Sequence, residues 1–327
     1  MTATPVGPPS GPLADWPVDG LVVAKGHGTH NDFVLLDDRT GELGLTGDAV
    51  RALADRRGGL GGDGVIRLVA AALEPDGVEA ARTDPEAVWF MDYRNADGSV
   101  AQMCGNGVRV FAAFLERLGL WDGTGRLAVA TRAGVRRVWR EQSPDQVAWY
   151  GVDMGPWRLP GGEAAVAAGG DAQVHVRGLP VERPGLRVDV GNPHTVLVLA
   201  SDDELAAADL AVPPVVTPIP GDGTNVELVL PLGESTAPDG DVVGTVRMRV
   251  HERGVGETSS CGTGACAAAL AVRAWAGPGA PDTWTVLVPG GTLRVTVRPD
   301  GHVELAGPAV LVAQARVDVT AAGFPAR

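Results

Sequence analysis

In Glu257-Thr-Ser-Ser-Cys261-Gly-Thr-Gly-Ala-Cys266-Ala-Ala-Ala-Leu-Ala-Val-Arg273 a polar loop runs into a cysteine and two closely spaced glycines, then into an apolar, alanine-rich segment. A segment apolar nearly all round reads as a helix surrounded by other structure, not one laid on a surface. The chain does the same thing upstream, in Gln102-Met-Cys104-Gly-Asn-Gly-Val-Arg-Val-Phe-Ala-Ala-Phe-Leu115. Both stretches read C-G-x-G followed by a helix, so each cysteine is expected at a helix N-terminus. Free backbone N–H groups and the positive dipole end favour negative charge there. That setting predicts thiol pKa values lowered from about 8.5 toward neutrality. Cys266 falls about 140° further round its helix than Cys261 and reads as core packing.

The remaining sequence fits two halves of similar plan, and such repetition is a sign of duplication. In the first half, strands are expected at 21–25, 32–37, 65–69 and 88–93, ahead of a helix at 105–118. A meander follows at 126–131, 134–140 and 146–153. In the second half, strand-like runs at 173–176, 186–190, 195–199, 225–230 and 242–250 precede the helix at 262–276. Further strands are expected at 283–288, 292–298 and 310–317. Residues 72–85, 160–172 and 213–223 read as connections without regular structure. The result is an α+β fold in which a mixed or antiparallel sheet wraps a central apolar helix, twice.

Composition narrows the function. The chain has 327 residues, 45% of them hydrophobic, which is room for roughly two domains with substantial cores. A net charge of −13 argues against a nucleic-acid partner, which needs clustered cations. No apolar run approaches the ~20 residues of a membrane span. Met1 to Gly20, rich in Pro and Gly, reads as a flexible extension and not as a signal peptide. Three cysteines point to a reducing compartment, the cytoplasm, and to chemistry in place of stapling. Lys25 is the single lysine. It lies in an apolar run with no phosphate-cradling glycines beside it, which disfavours pyridoxal-phosphate chemistry.

Buried free cysteines often serve as small hydrophobes, but a matched pair in matched settings asks for more. C-G-x-G supplies no metal-ligand spacing, and His27, His194 and His251 have none either. What a thiolate and a thiol can do together is invert a carbon bearing a hydrogen. One removes the proton from one face and the other returns a proton on the opposite face. Each sulfur must come within about 3–3.5 Å of the reacting atom, so the pair should stand roughly 6–7 Å apart. The N–H groups of Gly105, Asn106, Gly262 and Thr263 could hold the adjacent carboxylate as charge builds on it. No cofactor is required. With the site empty and partly closed, Cys104 and Cys261 are also candidates for a disulfide.

The chain resembles the diaminopimelate epimerases, through HGTHNDF at 27–33, NADGS at 95–99, MCGNGVR at 103–109, GNPH at 191–194, GTNVE at 223–227, ERGVGETSSCGTGAC at 252–266 and PGG at 289–291. The resemblance covers nearly the whole length. It implies Cys104 and Cys261 as the acid/base pair. It implies substrate contacts from Asn31, Asn95, Asn192, Asn225, Glu252 and Arg253, with backbone donors at Gly105, Asn106, Gly262 and Thr263. Arg253 suits a distal carboxylate, and the asparagines suit a distal amino-acid group. Glu252 is expected to meet the α-ammonium or deprotonate Cys261, and His194 to assist Cys104.

The implied partner is a small amino acid, with neither nucleic acid nor membrane, and a homodimer is compatible. The implied domains are 21–154 with 308–327, and 155–307, after the extension at 1–20. The sequence departs from many family members in having His30 where they have glycine, and from some in having Gly64 where they have glutamine. Two alternatives stay open: an epimerase or racemase of another amino acid on the same fold, and a thiol-redox or binding module.

Overall fold

The computed structural model describes residues 20–144 and 146–318, so all but Gly20 of the expected extension lies outside the described residues. The first half contains β1 (Leu21–Gly28), β2 (Asn31–Asp37), β3 (Gly64–Ala70), β4 (Trp89–Asn95), β5 (Arg126–Thr131), β6 (Gly134–Glu141) and β7 (Trp149–Pro156). Helices α1 (Gly47–Ala54), α2 (Pro75–Thr83) and α3 (Gly105–Arg117) lie among them. The second half contains β8 (Ala172–His175), β9 (Arg183–Asp189), β10 (Pro193–Val198), β11 (Val215–Thr217), β12 (Asn225–Thr236), β13 (Val242–Glu252), β14 (Gly256–Thr258), β15 (Thr283–Val288), β16 (Gly291–Val297) and β17 (His302–Pro308). Its helices are α4 (Gly162–Ala167), α5 (Asp202–Ala207) and α6 (Gly262–Ala276). Last comes β18 (Val310–Val317), which returns to the first half and pairs with β1.

The duplication is visible in the pairing. From β1 to β7 successive neighbours run antiparallel, parallel, antiparallel, parallel, antiparallel, antiparallel. The series β9, β10, β12, β13, β15, β16, β17 repeats that order. In both halves the helix fills the crossover before the second parallel pair, as parallel neighbours demand. Each helix touches strands from across its own sheet, α3 from β1 to β7 and α6 from β9 to β17. The two sheets join where β7 pairs with β17. This is a two-domain α+β fold, with a core running through both halves.

Local chemistry sets the helix limits. Residues Gly105–Leu115 of α3 are all buried, as are Gly264–Val272 of α6. Gly119 at φ 70° and Gly277 at φ 84° end the two helices in left-handed conformations that glycine adopts without strain.

Three segments read as irregular carry structure. Pro75 opens α2, where its missing N–H costs nothing. Ala165 of α4 is buried, so that helix is packed and not loose. Val216 of β11 is buried within a satellite core beneath α5. The strand β17 was not anticipated, because Gly307 and Pro308 interrupt its apolar alternation. No helix among the described residues is long and apolar enough to cross a membrane.

Candidate active site

Because the halves share one topology, equivalent strand ends gather at equivalent places. Asn31 opens β2, and Asn192 immediately precedes β10. Gly64 opens β3 and Asn225 opens β12; Asn95 closes β4 and Glu252 closes β13. Cys104 and Cys261 then cap α3 and α6, each in extended conformation, each sulfur accepting from the third N–H onward, Gly107 or Gly264, at 3.4 Å. Helix geometry leaves the N–H groups of Gly105, Asn106, Gly262 and Thr263 without intrahelical acceptors.

The two helix starts meet. A Cβ at Gly262 would lie 3.3 Å from Asn106 Oδ1 and 2.9 Å from Leu305 Cδ2; one at Gly105 would lie 3.1 Å from the same Leu305 atom. Leu305 of β17 is therefore a wedge shared by both ends, and only glycine allows so close an approach. Asn106 Nδ2 donates to Ser260 O at 3.2 Å, tying the turn after one cysteine to the residue before the other. Thr29 Oγ1 and Ser260 Oγ lie 2.6 Å apart. Thr29 and His30 form the β1–β2 turn at φ 49° and 66°, uncommon for residues with a Cβ. Packing of Gly290 against the Thr29 carbonyl, where a Cβ would come within 1.9 Å, helps hold that turn.

On the Cys104 side, the thiol donates to Asn31 Oδ1 at 3.4 Å. Asn31 Nδ2 donates to Asp63 Oδ2 at 2.7 Å, which fixes which way its amide faces. Arg109 is fully buried and donates to Asn106 Oδ1 at 2.5 Å and to the Pro308 carbonyl at 3.3 Å. It makes no ion pair among the described residues, and burial pulls its pKa down to about 10. Burial pushes the Cys104 thiol up to about 11; Glu252 adds to the rise, while the Gly107 and Asn106 N–H groups and Arg109 oppose it.

The Cys261 side is acidic. Burial, then Glu252 and Glu227, push its thiol well above the usual range, against hydrogen bonds from Thr263 and Gly264. Thr263 Oγ1 lies 3.5 Å from the sulfur. Glu252 accepts from Thr258 Oγ1 and acts on the Cys261 thiol, yet burial raises its own pKa. Glu227 is fully buried, with its pKa raised by burial against the pull of His194. Its Oε1 pairs with His194 Nδ1 at 2.7 Å and would lie 2.8 Å from a Cβ on Gly264. Asn225 Oδ1 accepts from the Arg253 N–H at 2.9 Å, and the exposed Arg253 guanidinium bonds the Asp222 carbonyl. Asn95 Nδ2 donates to Ser99 Oγ at 3.0 Å within its turn.

Two expectations need correction. The helix ends do not bring the thiols toward neutrality, because loss of water around sulfur outweighs the few N–H donors. His194 is not arranged to serve Cys104. Its ring nitrogens are engaged by Glu227 and by Asn192 Oδ1, at 2.7 and 3.0 Å, and that pair belongs to the Cys261 half. Cys104, Cys261 and Cys266 are all free thiols. Sequence reasoning missed Glu227, Ser260, Thr29, Asp63 and Arg109. Of these, Thr29, Arg109, Glu227 and Ser260 lie within motifs already noted, HGTHNDF, MCGNGVR, GTNVE and ERGVGETSSCGTGAC, where nothing marked them out from their neighbours; Asp63 lies outside them all.

Solved structures share this two-domain arrangement. A phenazine biosynthesis protein of the PhzF family from Bacillus anthracis superimposes with a TM-score of 0.62 at 16% identity, covering 91% of this chain and 99% of that one. A probable proline racemase from Agrobacterium radiobacter gives 0.56 at 14% identity, covering 94% and 96%. These establish shared fold only.

Sequence goes further. The diaminopimelate epimerase family model matches residues 23–159 and 186–312. The diaminopimelate epimerase of Streptomyces coelicolor is 48% identical over 305 residues, covering 91% of this chain and 96% of the relative. That of Mycolicibacterium paratuberculosis is 49% identical over 308 residues, covering 90% and 96%. The chain belongs to the diaminopimelate epimerase family.

Proposed function

We propose that this protein interconverts LL- and meso-diaminopimelate by cofactor-free proton transfer between Cys104 and Cys261, a step of lysine and peptidoglycan-precursor synthesis. The observation that carries the reading is the convergence of two cysteine-capped helix starts on one wedge, Leu305, with Gly262 against Asn106. The substrate α-carboxylate lies across both helix ends, receiving N–H bonds from Gly105, Asn106, Gly262 and Thr263. Those donors strengthen as the carbanion pushes charge onto the carboxylate oxygens.

Glu252, whose carboxyl is already raised by burial, takes the Cys261 proton, and the entering ammonium compensates the thiolate. Cys104, a neutral thiol, donates on the opposite face; the reverse reaction exchanges the roles. Arg253 takes the distal carboxylate, with Asn31, Asn95, Asn192 and Asn225 around the distal group. His194 supports this set by fixing Asn192 and Glu227. Free thiols at the centre suit the reducing cytoplasm.

Chiral separation after incubation with LL-diaminopimelate tests the assignment against a panel of other α-amino acids. Appearance of the meso form is expected. Turnover of a different amino acid, with diaminopimelate left untouched, would overturn it.

A further inference from the structure

Duplication gives the buried pair Glu227 and His194 an internal control. By strand register His194 pairs with Asn225 as Phe33 pairs with Gly64, and Glu227 stands two residues beyond Asn225 as Ile66 stands two beyond Gly64. The helix starts agree with that match. A Cβ on Gly107 would lie 3.3 Å from Ile66 Cδ1 and 3.6 Å from Phe33 Cζ; one on Gly264 would lie 2.8 Å from Glu227 Oε1. Beneath equivalent cysteine-capped helices, one half has two apolar side chains where the other has an acid and an imidazole. Phe33 and Ile66 show that packing there needs no polar group, and apolar replacements of a buried ion pair are often as stable or more so. Glu227 and His194 therefore answer to something other than the fold.

Both side chains are fully buried, with Glu227 Oε1 2.7 Å from His194 Nδ1. Glu227 Oε2 is sealed from solvent and makes no hydrogen bond of good geometry among the described residues. A carboxylate beside a neutral imidazole would leave a net charge and a bare oxygen in the core, which is costly. One more proton removes the charge. The pair is then either acid with imidazole or carboxylate with imidazolium, and in both forms His194 Nε2 carries a hydrogen. That hydrogen has a taker, since Asn192 Oδ1 lies 3.0 Å from Nε2. Burial raises the Glu227 pKa, which favours keeping the proton.

The same register makes Asn192 the duplicate of Asn31, and the two are held by opposite ends. Asn31 turns its Nδ2 to Asp63 and its carbonyl to Cys104. Asn192 turns its carbonyl inward to His194, while its Nδ2 has no partner among the described residues and is not sealed from solvent. We propose that Glu227 and His194 are a positioning pair: holding two protons between them, they keep a hydrogen on His194 Nε2 and so hold Asn192 with its NH2 outward, as a hydrogen-bond donor to a carboxylate of the bound amino acid. The inference rests on the functional reading above and deepens it. Without the pair the Asn192 amide is free to turn, and the ordering cost falls on substrate binding.

The test has two arms. In the first, the substrate-free wild type is labelled with ¹⁵N-histidine and its ring nitrogens are read by NMR at neutral pH, with His194→Phe assigning the His194 signals. A protonated Nε2 is expected; an Nε2 without hydrogen would overturn the inference, whatever the protein's substrate. The second arm copies the first half by making His194→Phe and Glu227→Ile together, and compares that variant with Asn192→Ala and with all three changes combined. The paired variant and Asn192→Ala are each expected to raise KM for LL-diaminopimelate about tenfold, with kcat moving less, and the combination to be no worse than either. An unchanged KM in the paired variant, or effects that multiply in the combination, would overturn the inference, while an active wild type leaves the functional reading intact. A wild type that turns over no diaminopimelate would overturn that reading and the carboxylate contact with it. Thermal melting of the paired variant checks that apolar packing has replaced the pair.

Discussion

The N-termini of α3 and α6 have the same backbone, the same cap and the same sulfur-to-amide bond, but opposite electrostatic company. Beside Cys104 stands a fully buried arginine, Arg109, and the thiol donates to a neutral amide. Beside Cys261 stand two carboxyl groups, Glu252 and Glu227. Duplication supplied two equal helix ends, and the side chains on the strands around them made the ends unequal. In the mechanism proposed above, a substrate between them meets one thiol beside a proton acceptor and another whose raised pKa a cation opposes. That proposal needs one base and one acid at a time, and this asymmetry suits it.

The comparison can be broken most sharply at the sulfurs. Cys104→Ser and Cys261→Ser are each expected to lower epimerisation by about 10²–10⁴-fold or more, because either loss leaves one face of the carbon without a proton carrier. Equal turnover in either variant, by the same chiral assay, would end the two-thiol account. Glu252→Gln comes next. It removes the acceptor that distinguishes the Cys261 side and should lower kcat about 100-fold while leaving Cys104 reactive toward alkylating agents.

Arg109 sharpens the other side. Arg109→Met removes the cation that opposes the rise of the Cys104 pKa, so the alkaline limb of its reactivity should move upward. Arg109→Lys should restore most of it, a rescue that a merely space-filling role would not produce. In the unaltered protein the raised pKa of about 11 means that Cys104 is a thiol at neutral pH and ionises as pH climbs toward that value. Alkylation of the substrate-free protein, followed by mass spectrometry, should therefore accelerate about tenfold per unit roughly between pH 7 and 9. Cys261, more deeply buried and facing two carboxyl groups, should react more slowly throughout. The smallest effect is expected from Asp63→Asn. It loosens the amide orientation of Asn31 and should cost severalfold in kcat/KM, with the fold unchanged.

The repeated C-G-x-G and the apolar helices behind it carried the fold in plain sight, because a helix buried all round must be wrapped by something. Strands with β-branched alternation, such as β5 and β15, were equally legible. The segment 72–85 was not, since α2 has only Gly77 and Ala80 buried and shows almost no apolar stripe. Residues brought together from distant segments were the other gap. Thr29 and Ser260 touch across 231 positions, and no local pattern announces such a contact. The thiol pKa values were misjudged for a related reason. A helix N-terminus is visible in sequence, but the closeness of the walls around the sulfur is not.

The central claim is that two different groups serve the two faces of one α-carbon. LL-Diaminopimelate turned over in D₂O and stopped early tests it most directly, with the label read separately in product and in recovered substrate. The account predicts product carrying deuterium at the inverted carbon, while unconverted substrate keeps its original hydrogen. Product that retains the substrate's own hydrogen would mean that a single group carries the proton around, and would contradict it.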